Sequence, residues 1–140
     1  MRKAESVANY VIAYGMKIEH PVSNLQLQKI LYYIQVHFLK KKGIPFFKDK
    51  IEAWQFGPVI PSVYYQYAAF GSAPITMFKT QEINLGQEEK EDLEQIVREK
   101  AVLSLWEMLV DTHKKGKAWD LYYKMGKRNV IPKKAMELFG

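Results

Sequence analysis

Apolar residues recur with a helical period along the first third of the chain. Ala4, Val7, Ala8, Val11 and Tyr14 fall on one face at i, i+3, i+4, i+7 spacing. This predicts an amphipathic helix from Ala4 to about Tyr14, with Gly15 placed to close it in a left-handed cap. A second stripe, Leu27, Ile30, Leu31, Ile34 and Phe38, predicts another helix. Ser23 or Asn24 can cap it by accepting a backbone N–H bond. Lys40, Lys41 and Lys42 sit in its last turn, where the helix dipole favours cations, and Gly43 supplies the stop.

The pattern then shortens. "IPFF" (44–47) and "IEAWQF" (51–56) are rich in aromatic and β-branched residues and bounded by Pro, Gly and Lys-Asp. Two brief strands with a hairpin across "KDK" fit better than helix, and Pro58, which cannot donate to a ladder, is expected to close the second. Trp54 and Phe56 alternate with Ala53 and Gln55, so both are expected to face the core. Pro61 suits the first turn of a helix, which Val63, Tyr64, Tyr67 and Ala68 continue until Gly71 and Pro74; Tyr65 points elsewhere. A long acidic helix carrying Leu93, Ile96 and Val97 follows, with a break near Ser104 and a helical continuation through "LSLWEMLVDTH". "KAWDLYYKMGKRN" predicts a shorter basic helix ending at Gly126, and Pro132 begins a final turn through Met136 and Leu138. The expected fold is mainly α: a single compact helical domain over residues 1–140, with a small two- or three-stranded β-element near residues 45–57.

Composition narrows the chemistry. A chain of 140 residues, 48% of them hydrophobic, can bury its own core without covalent staples. There is no cysteine, which excludes disulfides, thiolate zinc sites, iron–sulfur clusters and cysteine nucleophiles, and is compatible with a reducing cytosol. Glu5 and Asn9 interrupt the N-terminal apolar run, so it does not read as a signal peptide, and no run approaches the length of a membrane span. A soluble, cytoplasmic protein with no membrane partner is expected.

The net charge of +6 is unevenly spread. Residues 82–99 hold seven acids against Lys90 and Arg98, while residues 114–134 hold eight bases against Asp120 alone. Two solvated helix faces of opposite sign would account for this; so would a nucleic-acid surface made of Lys114, Lys115, Lys117, Lys124, Lys127 and Arg128. In the second case Trp119, Tyr122 and Tyr123 would stack on bases. In the first, their spacing makes them one buried face with the lysines outside.

Catalytic chemistry finds little to stand on. His20, His37 and His113 have no further ligand at metal-binding spacing, the carboxylates gather on the acidic helix, and no G-x-S-x-G, Walker A or G-x-G-x-x-G motif occurs. Neither an enzyme nor a bound metal or cofactor is expected.

Three ordered blocks remain: "NLQLQKILYYIQ", then "IEAWQFGPVIPSVYYQY" with "FGS", then "TH" followed by Trp119. Together they resemble the Panacea, or SocA-like, antitoxin domain, some of whose members are phage-associated GepA-like proteins. The resemblance spans Val7 to Trp119; beyond Thr112-His113 many members carry a Pro-Trp pair where this chain has Ala118-Trp119. It implies an antitoxin that neutralises a cognate toxin encoded beside it by direct protein contact, in a phage- or defence-associated system. One member of the family is an adaptor that delivers its toxin to a protease; self-association is left open, and nucleic acid becomes the lesser alternative. The residues expected to meet or shape the partner contact are Gln28, Lys29, Trp54, Phe56, Gly57, Pro58, Tyr64, Tyr65, His113 and Trp119. Gln28 and Lys29, which flank the core stripe, could instead bond the backbone around Gly57-Pro58.

Overall fold

The computed structural model describes residues 1–79 and 82–140. Its first helix, α1, spans Ala4–Lys17 and so runs past Gly15. Gly15 ends nothing: it lies buried within the helix, where the missing side chain lets His20 fold back and donate its N–H to the Gly15 carbonyl at 2.8 Å. The positive φ expected there falls on Glu19 instead.

Helix α2, Asn24–Lys42, is the centre of the molecule. Ser23 caps it in a reciprocal box with Gln26, and Gly43 at φ 69° stops it, as its sequence predicts. Leu27, Ile30, Leu31, Ile34 and Phe38 are all buried, but so are Gln28, Lys29 and Gln35. A helix buried on most sides needs its polar side chains bonded inside, and each glutamine serves one neighbouring segment.

Gln35 explains why "IPFF" is not a strand. Its Oε1 accepts the Phe46 and Phe47 N–H groups at 2.8 and 3.2 Å, and its Nε2 donates to the Phe47 carbonyl at 2.9 Å. One side chain thus replaces a strand partner, and Phe46 stacks on Phe38 with ring centroids 4.2 Å apart.

The hairpin lies later than the sequence predicts. β1 (Ile51–Trp54) turns through Gln55-Phe56 into β2 (Gly57–Val59), with Glu52 opposite Val59, Ala53 opposite Pro58 and Trp54 opposite Gly57. Pro58 therefore lies inside a strand rather than ending one, which is tolerated because β2 is an edge. The third strand, β3 (Asn129–Ile131), comes from the far end of the chain and pairs antiparallel on the other side of β1, giving the order β2-β1-β3.

Pro61 does start a helix, α3 (Pro61–Tyr64), but it tightens at once into a 3-10 helix over Tyr65–Phe70. Val63 and Tyr67 are buried and the partly buried Phe70 packs against the core; Ala68 is exposed. α4 spans Gln87–Lys100 and α5 Leu105–Thr112, with Ser104 capping the latter at the expected break. The acidic face of α4 is more than a solvated surface: Glu88 and Asp92 both pair with Lys41 of α2 at 2.6 Å, Glu89 pairs with Arg2, and Glu94 accepts from Tyr10.

The basic helix α6 covers only Ala118–Tyr122, four residues short of Gly126, because Tyr123 turns extended and Asn129 Nδ2 bonds the Tyr122 carbonyl as the chain heads into β3. α7, Lys133–Phe139, returns to α2 with Ala135 and Met136 buried and Leu138 exposed. The accessible surface, 7635 Å², is close to the roughly 7,500 Å² expected for a folded chain of this mass.

Candidate partner-binding surface

The hairpin tip is held from behind by polar groups of α2. Ile60 donates its N–H to Gln28 Oε1, Gln28 Nε2 donates to Asn24 Oδ1, and Asn24 Nδ2 donates to the Tyr64 carbonyl, each at 2.9 Å. This buried relay fixes the chain leaving the hairpin and the start of the 3-10 helix. Lys29 passes beneath Gly57. At φ 112° Gly57 presents its missing side chain to the lysine, and an added Cβ would stand 2.8 Å from Lys29 Cε. Only glycine lets strand and lysine share that space.

Lys29 is wholly buried, and its Nζ has no hydrogen-bond partner among the described residues. Burial alone holds its amine down to about 7. The same position above Gly57 lies 3.4 Å from His113 Nε2, a second buried nitrogen without a hydrogen-bond partner among the described residues. Burial first, and then the Lys29 charge, keep the His113 imidazole below its ordinary value. Near neutral pH the space behind the tip therefore disfavours positive charge.

Two aromatic groups stand on this base. His113 stacks on Trp119 with centroids 3.6 Å apart, and Trp119 stacks on Tyr123 at 4.6 Å. In front of them Trp54, Tyr64 and Tyr65 form a triangle with centroid separations of 5.0, 5.5 and 6.0 Å. The groups are joined where the Trp119 indole N–H donates to the Trp54 carbonyl at 2.8 Å. Arg128 closes the outer side, its guanidinium 3.8 Å from the Trp54 ring and donating to the Tyr65 hydroxyl at 2.7 Å.

The predicted residues thus cluster but divide into layers. Gln28, Lys29, Gly57, Pro58 and Trp119 lie inside, His113 is half-buried, and Trp54 is 9% exposed. Tyr64 is partly covered, whereas Tyr65 and Phe56 reach solvent. Phe56 was expected to face the core. It occupies the turn instead, where strand alternation no longer applies, and stands 55% exposed.

Beside Phe56 opens a cleft of about 520 Å³, walled on one side by the hairpin tip and on the other by Tyr123, Met125, Gly126, Lys127 and Arg128. Met125 had no signal in the sequence beyond being a lone methionine between lysines, and it is 89% exposed. Trp106 was read only as part of a helical pattern, yet it and Val110, one turn apart on α5, are exposed at 72% and 49%.

The basic residues do not form one uniform surface. Lys114 pairs with Asp111 at 3.2 Å, and Lys117 Nζ donates to the Gly140 carbonyl at 3.2 Å. Lys115 is exposed. Lys124, Lys127 and Arg128 belong to the loop beside the cleft, and among the described residues none of the three has an acidic partner. His37 pairs with Asp92 at 2.9 Å, far in sequence from this surface. Among the described residues there is no group of three or more His, Cys, Asp or Glu side chains able to hold a metal ion, and no helix is long and apolar enough to cross a membrane.

A family model described as Antitoxin SocA-like, Panacea domain, matches residues 27–120, from the buried face of α2 through the hairpin to Trp119 and Asp120. Antitoxin SocA of Caulobacter vibrioides (strain NA1000 / CB15N) is 31% identical over 129 residues, covering 84% of this chain and 69% of that protein. No solved structure matches. The Asn24–Gln28–Ile60 relay, the Lys29–Gly57 contact and the Trp119–Trp54 bond are thus the internal framework of a chain that belongs to the SocA-like antitoxin family, the Panacea domain.

Proposed function

We propose that this chain neutralises a protein toxin by holding it in a direct, stoichiometric complex, and that the contact is centred on Phe56 and Tyr65. The observation that carries this reading is a rigid aromatic surface backed by buried bonds. Phe56 and Tyr65 are exposed, while Trp54, Tyr64 and Trp119 beneath them are fixed by ring contacts and by the indole bond to the Trp54 carbonyl. Exposed rings on a fixed support offer large contact area at small entropic cost, which is what interface hot spots require. Gln28, Lys29, Gly57, Pro58, His113 and Trp119 then act by shaping the surface. Membership of an antitoxin family supports a toxin as the partner, and a gene beside this one is the natural place for it.

The test is co-expression with the adjacent open reading frames. The wild-type chain is expected to restore growth against one of them and to co-purify with its product, with neutralisation saturating near one equivalent rather than at catalytic amounts. Replacing Phe56 with serine should weaken the complex by roughly tenfold or more while leaving the melting temperature nearly unchanged, since its ring is mostly in water; adding Tyr65→Ser should weaken it further. Growth restored by sub-stoichiometric antitoxin would oppose the proposal, as would the absence of any complex.

A further inference from the structure

We infer that the cleft beside Phe56 receives an acidic peptide segment of the partner, anchored by one apolar side chain; this rests on the toxin-capture reading above. The cleft is about 520 Å³, inside the range of roughly 300–1,000 Å³ typical of ligand pockets. Its apolar groups are open to solvent: Phe56 on one wall, Met125 on the other. A flexible methionine across from an exposed ring suits an aliphatic or aromatic side chain whose shape varies.

Charge specifies what surrounds the anchor. Lys124, Lys127 and Arg128 have no acidic partner among the described residues, while the acids that neighbour this region are engaged. Glu52 accepts from the Trp54 indole at 2.9 Å, and Asp120 accepts from the Gly116 N–H at 2.9 Å. Arg128 is also held in place, between the Trp54 ring and the Tyr65 hydroxyl, with guanidinium donors left over. A fixed arginine fork matches a carboxylate better than a mobile lysine does.

A single-stranded nucleic acid would also meet cations and rings here, but the stacking faces are already used. Arg128 covers Trp54, and Trp119 lies between His113 and Tyr123. Phe56 and Tyr65 remain exposed, but Tyr65 already packs edge-on against Tyr64 and bonds Arg128, whereas strand binding without sequence preference needs several open rings in succession along a basic track. A peptide carboxylate with an apolar neighbour uses what is left. The hairpin wall lies within the family match at residues 27–120, whereas Met125, Lys127 and Arg128 lie beyond it.

The experiment pans the full chain against a library of random dodecapeptides. The expected selection is Asp- and Glu-rich sequences around a Phe, Trp, Leu or Met. A selected peptide should bind in anisotropy titrations, weaken with salt, and lose roughly tenfold or more in affinity with Phe56→Ser or Lys127→Glu. Both positions are exposed, so an unchanged melting temperature accompanies these losses. Selection of neutral or basic peptides, no selection at all, or affinity indifferent to both variants overturns the inference. Tighter binding of a fluorescent oligothymidylate, lost with the same variants, overturns it in favour of nucleic acid. The growth assay separates the two levels. Rescue that survives the Phe56→Ser, Lys127→Glu double variant removes the cleft and keeps the antitoxin. Acidic-peptide selection without rescue by the wild type keeps the cleft and removes the toxin.

Discussion

At Lys29 a protonatable amine sits in the core with no hydrogen-bond partner among the described residues, so the folded state prefers it neutral. Its amine deprotonates near 7 when folded, against an ordinary 10.5 when the chain is open. Between those values the unfolded chain binds the extra proton, and stability should climb with pH from about 7 toward 10, by at most about 1.4 kcal/mol per pH unit. Above pH 10 the slope reverses. Burial, aided by Asp111, holds the Tyr32 and Tyr33 hydroxyls protonated in the fold, while in the open chain they ionise at the ordinary 10.0. Lys29→Met fills similar space without an amine. Urea denaturation of this variant is expected to show equal or greater stability at neutral pH and to lose the rise between pH 7 and 10. The sequence placed Lys29 next to the core stripe, but not under Gly57. Helical periodicity assigns a face, and only the long-range approach of the hairpin decides which lysine that face must swallow.

At the scale of the element, the turn from β1 to β2 depends on one missing methyl group. Gly57→Ala puts a side chain at φ 112° and within 2.8 Å of Lys29 Cε, so it should cost about 1–3 kcal/mol for the backbone alone. Urea midpoints would measure this, and adding Lys29→Ala should recover only the part due to the clash. By contrast, Trp106→Ser on α5 should leave stability within about 0.5 kcal/mol despite the size of the ring removed, because the ring is mostly in water. The helices were legible because capping and period agreed: Ser23, Gly43 and Ser104 all mark the boundaries the sequence predicts. The strands were less so. "IPFF" carries strand-forming residues, but Gln35, on another element, takes over its backbone bonds. "NVI" is too short to show alternation, and its partner lies more than seventy residues away in the chain.

For the whole molecule, distant segments complete one another. α2 touches α1, α3, α4, α5, α7 and β2, so most of the fold is assembled around a single helix. The C-terminal segment finishes both the sheet and the core through Ile131 and Met136, each about 1% exposed. Burying such side chains contributes about 1.5–3 kcal/mol apiece. Deleting residues 129–140 should therefore lower stability by more than about 3 kcal/mol, a loss that thermal melting would register. The cluster behind the hairpin was partly readable: the aromatic turn and the Thr112-His113 and Trp119 block were visible as separate stretches. Their meeting through a 2.8 Å indole bond was not, because it joins residues sixty-five positions apart. That bond also has an optical consequence. The chain holds its three indoles in three environments: Trp106 bathed in solvent, Trp54 under a guanidinium, and Trp119 sandwiched with an imidazole. Their emission should differ in colour and quenching, so unlabelled protein would carry built-in fluorophores for following an encounter at the hairpin separately from loosening of the interior.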